Sequence, residues 1–462
     1  MLKDLLKYHR MPLIFLVSCC ALYLSFAYDL DRSDFPKLFS LYLALAFLSW
    51  KLYQMERINL KFLIASSILF RLLFLFHTPG LSQDFYRFLW DGQLILEGLN
   101  PYLSTPAELV ASGQAEFEHA ARLISGMGDL SAGNHSNYPP LSQLLFAIAA
   151  LFTGKSLLGG IIATRIMLLL AEVGIFILGR KLLKAFSLPE DRIFWFLLNP
   201  LVIIELTGNL HFEGVMIFFL LWALYLLQNQ KGILAALLFS LAVSVKLIPL
   251  LFLPLLLLYF RKPAKGIDLR KLLVFYFLVA LFFCLGFLPF SSSELLSEYL
   301  QTTGLWFRKF EFNASFYFLV RWLGFLLKGY NIIGTAGIVL GGVVFAGILF
   351  ISGHLLNRRN QSDRSDKAAT LACLHGMLWG ICLYYFLATT VHPWYLLLPL
   401  ILSIFTRFRF PLIWSVAVVL SFSAYSTTPA EENLWLVATE YVVVFGYVFR
   451  EVFWKSERKS FF

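Results

Sequence analysis

Charge is what this chain has least of. Aspartate, glutamate, lysine and arginine make up 14% of its 462 residues, against 59% apolar residues. A soluble globular domain carries about 25% charged residues, and disordered chains and coiled coils carry more. Those classes are excluded. Cysteine is scarce as well: Cys19, Cys20, Cys284, Cys373 and Cys382 all lie inside apolar runs, without the spacing of a zinc or redox site, and read as small core residues. Also missing are a glycine-rich phosphate loop, a His/Cys metal array and a serine-centred nucleophile motif. Their absence argues against ATP or a soluble nucleotide sugar as the direct substrate.

Apolar runs, by contrast, follow one another almost from end to end. A spanning helix needs about 20 apolar residues, so the fold class is an all-α polytopic membrane protein. The net charge of +10 then marks cytoplasmic loops rather than a nucleic-acid surface. With Lys3, Lys7 and Arg10 placed inside, the first run (about 11 to 28) reads as a retained helix, not a cleaved signal. Further helices are predicted over 37–51, 61–78, 158–180, 192–206, 212–228, 272–290, 333–356, 369–389, 394–406, 410–427 and 434–453. The run 233–260 has basic flanks at both ends, so it is predicted as two half-length helices meeting outside near Lys246 and Pro249. Segment 141–152 is too short to span and is predicted as interfacial, as is the last apolar part of the loop 291–332. About fourteen crossings result, with most lysines and arginines inside. The stretch from Pro79 to Pro140 has the opposite bias, seven acids against Arg87 and Arg122, and belongs outside. The chain divides into an N-terminal helix pair (1–60), a membrane module (61–290) with the large outer loop 79–140, a second outer loop (291–332) and C-terminal helices (333–462).

The polar groups with chemical potential gather on the outer side. If Asp84 to Leu96 is helical, Asp84, Arg87 and Asp91 share one face. Two carboxylates around a guanidinium suit a general base held ionised, or a weak metal site; a helix cap plus a surface ion pair is the plainer alternative. The turn between 206 and 212 brings Glu205, Asn209, His211 and Glu213 together, either around a polar substrate or as structural hydrogen-bonding groups. Lys246, at the apex of two short helices, either meets an anion such as a lipid phosphate or snorkels to the surface. His392, Trp394 and Tyr395 open an outer helix, where interfacial aromatics are ordinary. Arg71, Arg165 and Glu172 lie within membrane helices, where charges must pair or face a cavity; Arg71 with Glu172 is one pairing.

DFYRFLWDGQLILEGLNPY followed by NYPPLSQLLFA, then NPLVIIELTGNLHFEG, VKLIPLLFLP, EFNASFYFLVRWLG and HPWYLLLPL, resembles the motif series of bacterial integral-membrane mannosyltransferase-like proteins of the GT-C superfamily, close to glycosyltransferase family 87. The resemblance covers about residues 60 to 406. It implies a GT-C-like fold and transfer of a sugar, mannose by resemblance only, from a polyprenyl phosphate donor to a glycan or lipid-linked acceptor at the outer face of a plasma membrane. It implies Asp84 as catalytic base, His211 and Glu213 as a second polar pair, and Lys246 with His392 facing the donor phosphate. Arg87, Asp91, Tyr138 and Asn209 complete the candidate substrate-binding set. Relatives commonly carry two adjacent acids where this chain has Gln83-Asp84, so a two-acid metal site at that point is disfavoured; a divalent metal elsewhere stays open. The competing readings are a transporter or lipid flippase, which many broken helices also fit, and a surface-polysaccharide polymerase or ligase.

Overall fold

A computed structural model describes residues 10–262, 266–308, 310–359, 365–427 and 430–454. The segments with Lys3 and Lys7, parts of the basic loops at 261–271 and 357–367, and the basic tail after Trp454 lie wholly or partly outside the described residues.

The chain is a helical membrane protein; among the described residues the strands Arg261–Lys262 and Gly266–Ile267 form a single two-stranded hairpin. Helices Arg10–Tyr28, Phe35–Glu56, Leu157–Ala185, Leu269–Gly286, Ile333–Asn357 and Asp366–Leu387 are long and apolar enough to cross a membrane. Pro200–Gly208 and Glu213–Gln228 make a seventh candidate, bent by 110°. Length alone therefore does not reach the expected count of fourteen. Outward faces carry bare apolar side chains such as Phe47, Leu170, Phe345 and Phe350, as a lipid-facing surface requires once the helices satisfy their own backbone groups.

Three local features position the site. The expected helix at 84–96 forms as Asp84–Leu96 and packs on Pro140–Ala150, an 11-residue helix too short to span. Their approach is so close that a Cβ on Gly92 would lie 2.2 Å from the Phe146 carbonyl oxygen, while Phe88 stacks on Phe146 with centroids 4.6 Å apart. The apolar run 233–260 breaks as its charge flanks predict. Gly232–Val245 ends, Lys246 is extended at φ −148° and ψ 143°, and a 3-10 helix runs from Ile248 to Phe260. Pro249 suits that restart, since a proline in a helix's first turn gives up no needed N–H. At the third break, a π-helical turn Ile203–Gly208 leads into Leu210 at φ 65°. That left-handed conformation is costly for a branched side chain, and it swings His211 round before Glu213 starts the next helix.

Buried charges brace this turn. Arg71 pairs with Glu172 and donates to the Ser67 and Leu197 carbonyl oxygens, both at 2.9 Å. Arg165 donates to the carbonyl oxygens of Thr207 at 2.7 Å and Leu75 at 2.8 Å. The pairing of Arg71 with Glu172 is as the sequence suggests. Helix 61–78, however, is corrected: it ends at Leu72 and the chain continues in turns, because the carbonyls just beyond are held by side chains, Leu73 by the Tyr28 hydroxyl at 3.0 Å and Leu75 by Arg165. Cys19, Cys373 and Cys382 are buried as expected, whereas Cys284 is exposed on the outer face of its helix.

Candidate active site

A cavity of about 680 Å³ opens between the loop 79–140, the Lys246 break and the segment 388–395. Asp84, Arg87, Tyr138, Glu213, Lys246 and His392 all line it; Asn209 and His211 sit behind its wall, and Asp91 is sealed in the loop. One side of the cavity is apolar, formed by Leu247, by Ile248, Leu250 and Leu251 of the 3-10 helix that follows it, and by Leu340 and Val344 of Ile333–Arg359.

Asp84 is the first helical residue of Asp84–Leu96; Gln83 holds the cap position without a side-chain cap bond. The cap role considered for Asp84 is therefore not the one it has. Its N–H donates to Ser82 Oγ at 3.2 Å, and its carboxylate remains 38% exposed, into the cavity. Burial of the surrounding wall pushes the carboxyl up to about 6, with Lys246 pulling it down and Glu213 pushing it up. A carboxylate in that range is ionised at neutral pH yet basic enough to take a proton.

Behind it lies an acid, imidazole, acid series. Asp84 Oδ2 is 3.8 Å from His211 Nδ1, and His211 Nε2 is 3.4 Å from Glu205 Oε2, which also accepts from Asn209 Nδ2 at 3.0 Å. Burial, then the charge of Lys246, holds the His211 imidazole well below its ordinary range. The two carboxylates sit at opposite edges of the ring and cannot converge on one ion; among the described residues no group of three or more His, Cys, Asp and Glu side chains is arranged to hold a metal.

Lys246 forms an ion pair with Glu213 and points over the Tyr395 ring at 5.9 Å. The carboxylate offsets the desolvation that an ammonium meets at this depth. Arg87 and Asp91, on the expected shared helix face, pair with each other. Arg87 Nε binds Asp91 Oδ1 at 2.6 Å, and Arg87 Nη1 donates to the carbonyl oxygens of Ser131 and Asn134 at 2.7 and 2.9 Å. Asp91 Oδ2 accepts from Ser136 Oγ at 2.6 Å and Gln143 Nε2 at 3.0 Å. Both carboxylate oxygens of Asp91 are occupied, so the pair ties the segment 131–136 to helix Asp84–Leu96 beside the cavity. Tyr138 follows that segment; burial, then the nearby Asp84 carboxylate, drives its phenol well above the ordinary range.

His392 is held by the EFNAS motif. The Phe312 N–H donates to the Thr389 carbonyl at 3.0 Å and Val391 N–H to the Phe312 carbonyl at 2.8 Å, joining the two segments. Asn313 is anchored in turn by Glu440 and by the Tyr441 hydroxyl, which donates to its carbonyl at 2.7 Å. Burial, then Lys246, lowers the His392 imidazole to about 3. It therefore offers a polar ring edge to the cavity but no positive charge. Trp394 lies between the two histidines, stacked on His211 at 3.9 Å and on His392 at 4.4 Å. Its place at a helix start gave only the ordinary interfacial reading, and its role as a spacer between imidazoles has no local sequence signal. Glu205, named in the turn but outside the expected substrate set, is fully buried and completes the series from Asp84.

A family model described as alpha-(1->6)-mannopyranosyltransferase, N-terminal domain, matches residues 37–262, and one described as ALG3 protein matches residues 209–432. An alpha-(1->6)-mannopyranosyltransferase B of Corynebacterium glutamicum is 31% identical over 150 residues, 32% of this chain and 24% of that relative. An alpha-(1->6)-mannopyranosyltransferase A of Mycobacterium tuberculosis is 22% identical over 348 residues, 73% of this chain and 63% of the relative. The chain thus spans less than two thirds of the length of either. No solved structure matches. The two family models overlap across the turn at 209 and the break at 246, and the chain is a polytopic membrane protein similar in sequence to alpha-(1->6)-mannopyranosyltransferases.

Proposed function

We propose that this protein transfers a mannosyl unit from a polyprenyl phosphate-linked donor to a glycan or lipid-linked acceptor at the extracytoplasmic face of the plasma membrane. The single observation that carries the reading is the cavity itself: one wall is apolar, from Leu247 to Leu251, and the opposite side presents the Asp84 carboxylate beside Lys246. That combination suits a ligand with an isoprenoid tail and a phosphate-linked polar head. The name shared by the relatives supplies mannose.

In this reading Asp84 accepts the acceptor hydroxyl proton as that oxygen attacks the anomeric carbon. The bond from the anomeric carbon to the donor phosphate breaks in line, inverting the centre, and the phosphate leaves with the electron pair. Lys246 faces the departing charge, relaxing its pairing with Glu213 as negative charge builds. His211 keeps Asp84 oriented, with Glu205 and Asn209 fixing the imidazole edge behind it. A positioned base contributes about 10²–10⁴ in rate.

Purified protein in detergent, given mannosyl polyprenyl phosphate in parallel with a nucleotide-linked mannose, tests the donor class. Transfer from the lipid donor alone supports the reading. Transfer from the nucleotide sugar alone refutes it, and lipid movement across a bilayer with no transfer from any donor favours a flippase instead.

A further inference from the structure

The chemistry above needs a cation for the donor phosphate, and the cavity supplies fewer unengaged ones than its lining suggests. Arg87 has its charge matched by Asp91 and gives its Nε and Nη1 to that carboxylate and two carbonyl oxygens. Lys246 is already paired with Glu213. His392 lines the wall as a neutral ring. Arg32, in the short connection between Arg10–Tyr28 and Phe35–Glu56, also lines the cavity, with no carboxylate in ion-pair contact among the described residues.

That is unexpected for its sequence, because Arg32 sits in DLDRSD with three acids within three positions. Each acid is committed elsewhere. Asp29 pairs with Lys37 at 2.8 Å, Asp31 accepts from the Ser33 N–H and hydroxyl at 2.8 and 2.6 Å, and Asp34 caps the next helix through the Lys37 N–H at 3.1 Å. Arg32 turns away from all three. Its guanidinium lies 3.4 Å above the Tyr425 ring, within hydrogen-bonding reach of that hydroxyl, while its Nε is buried without a hydrogen-bond partner. A guanidinium has five N–H donors in a plane, so donors remain for a ligand, and none of the ion pairs among the described residues includes Arg32.

The support beneath it is rigid. Tyr425 stacks on Phe312 at 5.9 Å, Phe312 on His392 at 4.9 Å, His392 on Trp394 at 4.4 Å, and Trp394 on His211 at 3.9 Å. The pile runs from the arginine to the imidazole that touches Asp84, so the cation and the base are fixed with respect to each other. The charge of Arg32 also reaches Asp84, favouring its ionised form.

We propose that Arg32 is an anion-binding residue of the cavity, taking the phosphate of an isoprenoid phosphate through its planar N–H edge while Tyr425 holds its face. Charge-assisted, planar contacts of this kind are what distinguish arginine from lysine at phosphate sites. The inference rests on the donor class proposed above.

The test measures binding of farnesyl phosphate to the purified full chain, with farnesol, inorganic phosphate and phosphatidylglycerol in separate arms. Arg32→Gln is expected to weaken farnesyl phosphate at least tenfold and leave farnesol unchanged, with Arg32→Lys falling between, since it keeps charge but loses the plane. Farnesol binding and an unshifted unfolding temperature report a folded variant; if the glutamine form fails them, the lysine form carries the comparison. Farnesyl phosphate binding that ignores both substitutions overturns the role of Arg32 and leaves the donor proposal standing. Equal competition by phosphatidylglycerol or by inorganic phosphate also overturns it, assigning the residue to a lipid headgroup or to free phosphate. If the unmodified protein binds no farnesyl phosphate at all, the donor proposal falls, and this inference with it.

Discussion

Removing the charge of Glu213 gives the sharpest probe of how the site sets its base. With the Asp84 carboxyl at about 6, its ionised fraction is ~91% at pH 7 and ~9% at pH 5, so transfer by an ionised base falls about tenfold across that interval. An aspartate at the ordinary 3.8 would lose only ~6% over the same range. Glu213 pushes the Asp84 value up, and it also masks Lys246, which pulls it down. Glu213→Gln removes the first influence and exposes the second. Both act in the same direction, and the acid limb moves to lower pH. A unit charge even roughly 10 Å away, at an effective dielectric of about 20, contributes about 1.7 kcal/mol, so the expected displacement is about one pH unit. The assay is kcat/KM for mannosyl transfer against pH in detergent, with Asp129→Asn, an exposed acid of the same loop, as the control that leaves the limb in place. A limb near pH 4 in the unmodified protein, or a shift to higher pH in Glu213→Gln, would refute the reasoning.

Other perturbations test the scaffold. Glu172→Gln or Arg71→Met strands one member of the buried pair that braces the turn before His211; either is expected to cost about 3–5 kcal/mol, with the double replacement Arg71→Met and Glu172→Met recovering much of it, read as thermal unfolding in detergent. Gly92→Ala places a methyl 2.2 Å from the Phe146 carbonyl oxygen; helices Asp84–Leu96 and Pro140–Ala150 must separate, and a loss of about 1–3 kcal/mol in stability is expected from the same measurement. Cysteine at position 246 is expected to react with an impermeant thiol reagent added from outside intact cells. Labelling only from the cytoplasmic side would sink the outer apex.

The parts of this molecule that the sequence makes legible are those governed by local cost. Lysine at the centre of an apolar run, flanked by basic loops, forces a break, and the chain breaks at Lys246. Arg71 and Glu172 are too expensive to bury singly, and they meet. The regular face of 84–96 yields a helix with those bounds. Pattern fails where a side chain is satisfied by groups remote in sequence. Asp91 looks like a second acid for substrate, yet Ser136 and Gln143 consume it. Arg32 looks like one charge in a charged loop, and it depends on a ring pile drawn from Tyr425, Phe312, His392 and Trp394. No periodicity reports that such distant segments converge. The expected helix 61–78 is similarly cut short by contacts from Tyr28 and Arg165 that a hydropathy run does not contain.

The central claim is that Asp84 is the base for transfer from a polyprenyl phosphate-linked mannose. Its most direct test is single-turnover transfer of radiolabelled mannose from that donor by purified Asp84→Asn, alongside donor binding by the same protein. The account predicts a fall of about 10²–10⁴ in the rate with donor binding retained; full transfer activity in Asp84→Asn would contradict it.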